Sequence, residues 1–288
     1  MTTRPQNSNR LRALSCLFTA STIRKIVARG ESNDVLRRIR RHNRHEGGKS
    51  VRSVLSGYYS ELDAGYQNEY LFKNALLNLE LLSKHCLSTT SVLSEFRLGE
   101  SIADFVLING ELRVFEIKTD LDNLSKLDKQ IQDYRKVANK VFLVVSDENA
   151  QRLLPRYHRS TIGLIGYSNR TTLTTYQDAV EDKTDLDATA LFKILRKEEY
   201  LEIVQRVAGY VPNVPNTLIF RECLEIARSM RVERLQSEVR DTLKRRVLHC
   251  PQLLTSRKTP AALRHLCYTL NLTQPQYDRL HQFLRTSA

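Results

Sequence analysis

No apolar run in this chain is long enough to cross a bilayer. The longest, such as residues 141–145, are strand-sized, far short of the roughly 18 to 20 residues a transmembrane helix needs. That excludes membrane-spanning roles. Cysteine is sparse: Cys16, Cys86, Cys223, Cys250 and Cys267 stand far apart with no CxxC pair, so neither a zinc module nor a disulfide framework is written here. The histidines show no zinc-ligand spacing either. There is no internal repeat, no low-complexity tract and no secretion signal, although the Arg-rich, acid-poor start matches a mitochondrial presequence in composition. The expected location is a reducing cytoplasm, in a soluble or nucleoid-associated form.

What the chain has in excess is positive charge. Its 288 residues carry 45 Lys and Arg against 32 Asp and Glu, a net of +13. The excess is uneven along the chain. Residues 1–57 hold 13 basic against 3 acidic side chains, residues 58–189 hold 15 against 20, and residues 190–288 hold 17 against 9. Basic flanks attract polyanions, whereas an acidic middle repels phosphate unless a cation neutralises it. A nucleic-acid partner is therefore expected, the plainer reading being that the excess only solubilises.

Three regions follow from the patterning. Residues 1–57 read as a basic N-terminal arm, partly helical, with Leu11, Leu14, Leu17 and Phe18 at helical spacing. Its arginines Arg37, Arg38, Arg40, Arg41 and Arg44 run up to Gly47-Gly48 and are candidate phosphate contacts, or else a solvated helix face. Residues 58–187 read as an α/β domain. Asn68 offers an N-cap for a helix with Phe72, Ala75, Leu76, Leu79 and Leu82 on one face. Strand-length runs follow at 92–98, 102–108, 112–119 and 141–145, with 162–167 and 172–176 after them. A second helix carries Leu124, Leu127, Ile131, Tyr134 and Val137 between the third and fourth strands. The order helix, three strands, helix, strand predicts a mixed sheet. Residues 188–288 read as a separate, basic, all-helical domain punctuated by prolines, the place for a homodimer contact or a partner protein. Its last two helices have helix-turn-helix spacing, and Arg245, Arg246, Arg257 and Lys258 are candidate phosphate contacts.

The chemistry concentrates in residues 102–118, where Asn109-Gly110 marks a hairpin and Asp104, Glu116 and Lys118 interrupt apolar strands. Glu116 and Lys118, two apart, share one strand face. Burying them together is costly, so a ligand or metal is expected to compensate them. A strict two-residue turn would pair residues whose numbers sum to 219 and set Asp104 and Glu116 on opposite faces. A three-residue loop with Gly110 left-handed gives 218 and the same face, and this is the register expected. Glu95, one strand earlier, reads as paired with Arg97 or solvated, with approach to a metal as the other reading. Asp120 and Asp122 read as caps of the second helix, and Asp147 as turn chemistry.

Asp104, a short gap, and Glu116-Ile117-Lys118 at the end of a second strand resemble the signature of the PD-(D/E)XK nuclease superfamily. Glu69 on the preceding helix is similar to that family's helical carboxylate, and Gln130 with Tyr134 to the QxxxY motif of its RecB-like branch. The resemblance covers roughly residues 66–176, with Ala103 standing where the family has proline. It implies a restriction-endonuclease-like αβββαβ core and Mg²⁺-dependent (or Mn²⁺-dependent) hydrolysis of DNA phosphodiesters. It also implies Asp104, Glu116 and the Ile117 carbonyl as metal ligands, with Lys118 orienting or activating water. Glu69 would assist a second metal or position the lysine. Gln130 and Tyr134 would hold Lys118 or the phosphate. Many RecB-like relatives carry an iron–sulfur cluster, which needs about four grouped thiolates, so none is expected here.

Each residue has a plainer alternative. Asp104, Glu116 and Lys118 could be a structural ion-pair cluster, Glu69 an i,i+4 partner of Lys73, Gln130 a surface residue and Tyr134 a core aromatic. The leading function is a metal-dependent DNA nuclease whose flanks hold its substrate, with defence or repair as its setting. The alternatives are a catalytically silent nuclease-fold protein acting as a DNA-binding or scaffold module, and a helix-turn-helix regulator.

Overall fold

In a computed structural model, the protein is described over residues 5–29, 32–43, 48–120, 122–168 and 172–288. It is an α/β protein whose six strands form one mixed sheet in the order β1-β2-β3-β4-β5-β6. The strands are β1 (Ser91–Leu98), β2 (Ser101–Asn109), β3 (Glu111–Lys118), β4 (Lys140–Ser146), β5 (Gly163–Ser168) and β6 (Thr172–Gln177). β1, β2 and β3 pair antiparallel, and β3 pairs parallel with β4. The parallel step needs a crossover, supplied by a short 3₁₀ turn (Leu124–Lys126) and helix α6 (Leu127–Arg135). No helix among the described residues is long and apolar enough to cross a membrane.

The chain divides into two compact units that do not follow its linear order: Met1–His85, Tyr167–Leu173 and Leu248–Ala288 form one, Cys86–Gly166 and Thr174–Val247 the other. The expected partition at residues 57 and 187 differs from this in two ways. The N-terminal segment is no arm. It is four helices, α1 (Pro5–Ser15), α2 (Ala20–Arg29), α3 (Asn33–His42) and α4 (Val51–Gly65), and Leu14, Ile23, Ile26, Ile39 and Leu62 on them are fully buried. The helical C-terminal region is no single domain. Helices α8 (Ala188–Lys193), α9 (Lys197–Ala208), α10 (Asn216–Arg228) and α11 (Val232–Lys244) share a continuous core with the sheet, through Leu191, Phe192, Ile203, Leu235, Val239 and Leu243. Helices α12 (Pro251–Leu254), α13 (Arg264–Thr269) and α14 (Gln274–Arg285) belong with the N-terminal helices instead. Side-chain burial between segments distant in sequence decides this, and linear charge or proline spacing does not encode it.

The division sorts charge sharply. The first unit holds 21 Lys and Arg against 8 Asp and Glu, the whole net charge of +13, and the sheet unit holds 24 against 24.

Within the sheet unit, β2 buries Phe105 to Ile108 in succession and β4 buries six of its seven residues, the pattern of strands covered on both faces. Leu127, Ile131 and Tyr134 form the buried stripe of α6, as their spacing predicts. Helix α7 (Asp147–Tyr157) follows β4 directly. It had no counterpart in the sequence reading because Pro155 lies inside it, a residue that ordinarily ends a helix. Asp147, expected in a turn, sits in its first turn and accepts the Tyr176 hydroxyl at 2.8 Å.

In the other unit Asn68 caps α5 (Glu69–Ala75) by accepting the Leu71 amide at 3.2 Å, and the helix continues as a π-helical stretch at Leu76–Leu81. Phe18, Tyr59, Tyr70 and His265 interlock as an aromatic cluster, with ring centroids 5.7–6.3 Å apart.

A candidate active site on three adjacent strands

The β2–β3 hairpin pairs Phe105 with Phe115 and Asn109 with Glu111 across Gly110 alone, so partner numbers sum to 220. This corrects the expected sum of 218. Gly110 has φ +71°, left-handed as anticipated, but the loop is one residue long and carries no bulge. Both sums are even, so the consequence for the faces survives: carried one pair past Phe105 and Phe115, the register sets Asp104 across from Glu116. The β1–β2 register, with partners summing to 199, places Glu95 across from Asp104 on the other side. Glu95, Asp104 and Glu116 thus form a row over β1, β2 and β3.

Glu95 breaks its ladder. It has φ +52°, and regular partner pairs resume on either side of it, Ser94 with Phe105 and Phe96 with Ala103. A non-glycine residue in that region is held there at a cost of order 1–3 kcal/mol. A carboxylate oxygen of Glu95 lies within 4.8 Å of one of Asp104. Glu95 is exposed and Asp104 half-buried. The sequence favours Glu95 paired with Arg97 or solvated, with approach to a metal as the other reading, because nothing in the letters reveals a backbone turned out of the strand conformation.

Glu116 is only 2% exposed and is bonded from three directions. Its Oε1 accepts Lys118 Nζ at 2.7 Å and Gln130 Nε2 at 2.6 Å, and its Oε2 accepts the Tyr134 hydroxyl at 2.5 Å. Gln130 and Tyr134 come from one face of α6, four residues apart. Both bond Glu116, a contact that the roles implied by the motif did not include. The Tyr134 ring is fully buried. Burial first, then the adjacent Glu116 charge, push its hydroxyl far above the usual phenol range, so it stays a proton donor. The expected compensating ligand for Glu116 and Lys118 is, in the first instance, each other.

A carboxylate offers about four acceptor positions, and three on Glu116 are filled. Asp104 Oδ2 accepts the Ile117 amide at 2.8 Å, which ties β2 to β3 beside the ion pair. That contact uses the N–H of Ile117 and not its carbonyl, the expected ligand. For a hard divalent cation the donor set is reasonable: two carboxylates within 4.8 Å of each other and a third with a free acceptor position suit an oxygen-ligated ion that retains waters. Of the expected catalytic residues that lie in the sheet unit, Asp104, Glu116, Lys118, Gln130 and Tyr134 come together here. Glu69 belongs to the other unit, where it opens α5 and pairs with Lys73.

The aspartates read as helix caps do other work. Asp120 accepts Ser146 Oγ at 2.7 Å and Asn149 Nδ2 at 2.5 Å, and Asp122 accepts the Thr119 amide and hydroxyl at 2.7 and 2.8 Å. Asn123 caps the turn instead.

The candidate phosphate contacts divide. In the sheet unit, Arg246 forks onto Glu199 with two bonds of 2.7 Å and lies over the Phe96 ring, while Arg245 bonds Glu202 at 2.7 Å. Arg246, with a side chain only 15% exposed, would have to break that pair to reach a phosphate. In the other unit Arg37, Arg41, Arg257 and Lys258 are exposed. Arg38 and Arg40 donate to the carbonyls of Cys16 and Ser287. Arg44 lies outside the described residues.

The chain belongs to the bacteriophage P4 protein cII family, whose model matches residues 63–266. Among characterised relatives it is similar to Protein cII of Enterobacteria phage P4, at 24% identity over 153 residues, 52% of this chain and 56% of that protein. The chain thus spans little more than half the length of that relative. Among solved structures it matches a protein of unknown function from Silicibacter pomeroyi with a TM-score of 0.30 and 19% identity, covering 44% of this chain and 86% of the other.

Proposed function

We propose that this protein is a metal-dependent nuclease of the PD-(D/E)XK kind that hydrolyses DNA phosphodiesters. The observation that carries the reading is the register: carried one pair past Phe105 and Phe115 it sets Asp104 across from Glu116, Lys118 follows two residues on, and Gln130 and Tyr134 fix Glu116 from α6. Three chemically unlike residues, Lys118 of β3 with Gln130 and Tyr134 of α6, converge on the Glu116 carboxylate. Asp104 and Glu116, with Glu95, would hold the Mg²⁺ or Mn²⁺ ion, which when bound supplies charge neutralisation at the scissile phosphate. Tyr134 and Gln130 fix the Glu116 oxygens, and Glu116 in turn fixes the Lys118 ammonium. Held in this way, Lys118 is positioned to orient an attacking water and to offset negative charge developing on the phosphate. The low exposure of this cluster strengthens each of those interactions.

A second reading has its own support. Lys118 and Glu116 neutralise one another at 2.7 Å, which is also what a structural ion pair in a silent nuclease fold would do. Such a protein would act as a DNA-binding or scaffold module. The test is cleavage of labelled single-stranded, double-stranded and forked DNA in Mg²⁺, Mn²⁺ and EDTA, beside Asp104→Ala and Lys118→Ala. Metal-dependent cutting lost in both variants supports the nuclease. Tight binding without cutting under any condition favours the scaffold.

A further inference from the structure

The first unit carries the chain's entire net positive charge, and part of it gathers where the two ends of the chain meet. Residues 49–52, leading into α4, run against the C-terminus: Ser50 bridges Ser287 antiparallel, the Val51 amide donates to Thr286 O at 2.9 Å, and the Ala288 amide donates to Lys49 O at 3.0 Å. Arg40 of α3 donates to Ser287 O at 3.2 Å. One turn back on α14, the His281 ring bonds Thr259 Oγ1 at 2.9 Å, which brings the Lys258 loop beside the same helix. Four segments far apart in sequence therefore place Arg40, Lys49, Arg52, Lys258 and Arg285 around the end of α14, and all five are exposed. Burial together with the charges of Lys258, Arg285 and Arg52 depresses the His281 pKa, against the opposing Asp278, so these cations act on one locus. Among the described residues, Lys49, Arg52, Lys258 and Arg285 form no ion pair with a carboxylate, unlike Arg245 and Arg246 of the sheet unit.

We infer that Arg40, Lys49, Arg52, Lys258 and Arg285 form one phosphodiester-backbone contact surface, built by the junction of the chain's two ends, through which this protein holds a nucleic acid. Exposed cations with no carboxylate partner, gathered around one helix end, suit a ligand with a regular row of single negative charges. Such a surface reads backbone and no bases, so it is indifferent to sequence. The inference rests on the nucleic-acid part of the proposed function and not on its catalytic part.

The experiment is binding of fluorescein-labelled single-stranded and duplex DNA by the full chain in EDTA, followed by anisotropy from 50 to 300 mM salt. Arg52→Ala, Lys258→Ala and Arg285→Ala are combined in one variant. Arg152→Ala, Lys193→Ala and Arg231→Ala, exposed cations of the sheet unit, form the control. The surface variant is expected to bind at least tenfold more weakly at 100 mM salt, with the slope of log affinity against log salt lowered by roughly two to three, and the control to bind like the parent. A charge-keeping Arg52→Lys, Arg285→Lys variant should retain binding, which separates lost contact from lost fold. Equal binding by the parent and the surface variant overturns the inference, as does a loss confined to the control. A parent that binds anionic phospholipid vesicles but no DNA also overturns it. Cleavage in Mg²⁺, scored separately, keeps the catalytic reading distinguishable: a parent that cuts while the surface variant binds normally rejects this surface alone.

Discussion

The Tyr134 hydroxyl meets Glu116 Oε2 at 2.5 Å, joining the last turn of α6 to the end of β3. The two residues are 18 positions apart, and their contact decides how the site is held. Glu116 is almost fully buried, so each donor it receives offsets part of the cost of burying its charge.

Tyr134→Phe removes that donor and keeps the ring. It should lower stability by about 1–3 kcal/mol, the penalty for leaving a buried acceptor short of a partner. Urea denaturation measures it. A change below a few tenths of a kcal/mol would mean the hydroxyl does not support Glu116.

Lys118 and Glu116 have side chains 13% and 3% exposed. Lys118→Met or Glu116→Gln alone should destabilise by up to about 3–5 kcal/mol, because each leaves an opposite charge behind. The double variant should cost clearly less than the sum, which a double-mutant cycle reads directly. Strict additivity would show that the two do not compensate one another.

If Glu95 and Asp104 share a divalent ion, millimolar Mn²⁺ should raise the melting temperature of the wild type. The shift should shrink in Glu95→Gln and vanish in the Glu95→Gln, Asp104→Asn double variant. The same shift in all three proteins would place the ion elsewhere.

Gly110 and Gly163 should fail for different reasons. A Cβ at Gly110 meets nothing within 4 Å, so Gly110→Ala carries only the backbone penalty of φ +71°, about 1–2 kcal/mol. A Cβ at Gly163 would sit 2.3 Å from Phe142 Cδ1 and 2.9 Å from the Ala179 amide nitrogen. Phe142 stacks on Phe115 at 4.9 Å, so Gly163→Ala must disturb that stack and should cost the more of the two in thermal denaturation.

His265 gives a pH dependence. Burial first, then the nearby Lys73 charge, push its pKa down to about 3 from an ordinary 6.5. Between these values the unfolded chain binds a proton that the folded chain does not. Its contribution is therefore complete above about pH 6.5 and is lost as pH falls toward 3, at no more than roughly 1.4 kcal/mol per pH unit. Denaturation at pH 7.5, 6.0 and 5.0 should show a shallower decline in His265→Gln than in the wild type. Parallel declines would contradict the buried, neutral imidazole.

Much of the sheet unit was legible from local pattern. Apolar runs of strand length located the strands, and Leu127, Ile131 and Tyr134 located α6. The face shared by Asp104 and Glu116 followed from the parity of the register even though the loop length did not. What escaped was non-local or conformational. Pro155 masked α7, the outturned backbone of Glu95 leaves no mark in the letters, and the pairing of Arg246 with Glu199 spans 47 residues. The joining of both chain ends into one basic unit depends on buried contacts between segments more than two hundred residues apart, such as Arg279 with the Val27 carbonyl.

The most direct measurement is the cleavage rate of a labelled DNA strand in Mn²⁺ by wild type, Asp104→Asn and Lys118→Met, each shown to be folded by circular dichroism and to bind the strand with unchanged affinity. The account predicts metal-dependent cutting by the wild type and a loss of about a thousandfold or more in each variant, the scale of removing a group that stabilises transition-state charge. Cutting by Lys118→Met at the wild-type rate, or no cutting by the wild type, would contradict it.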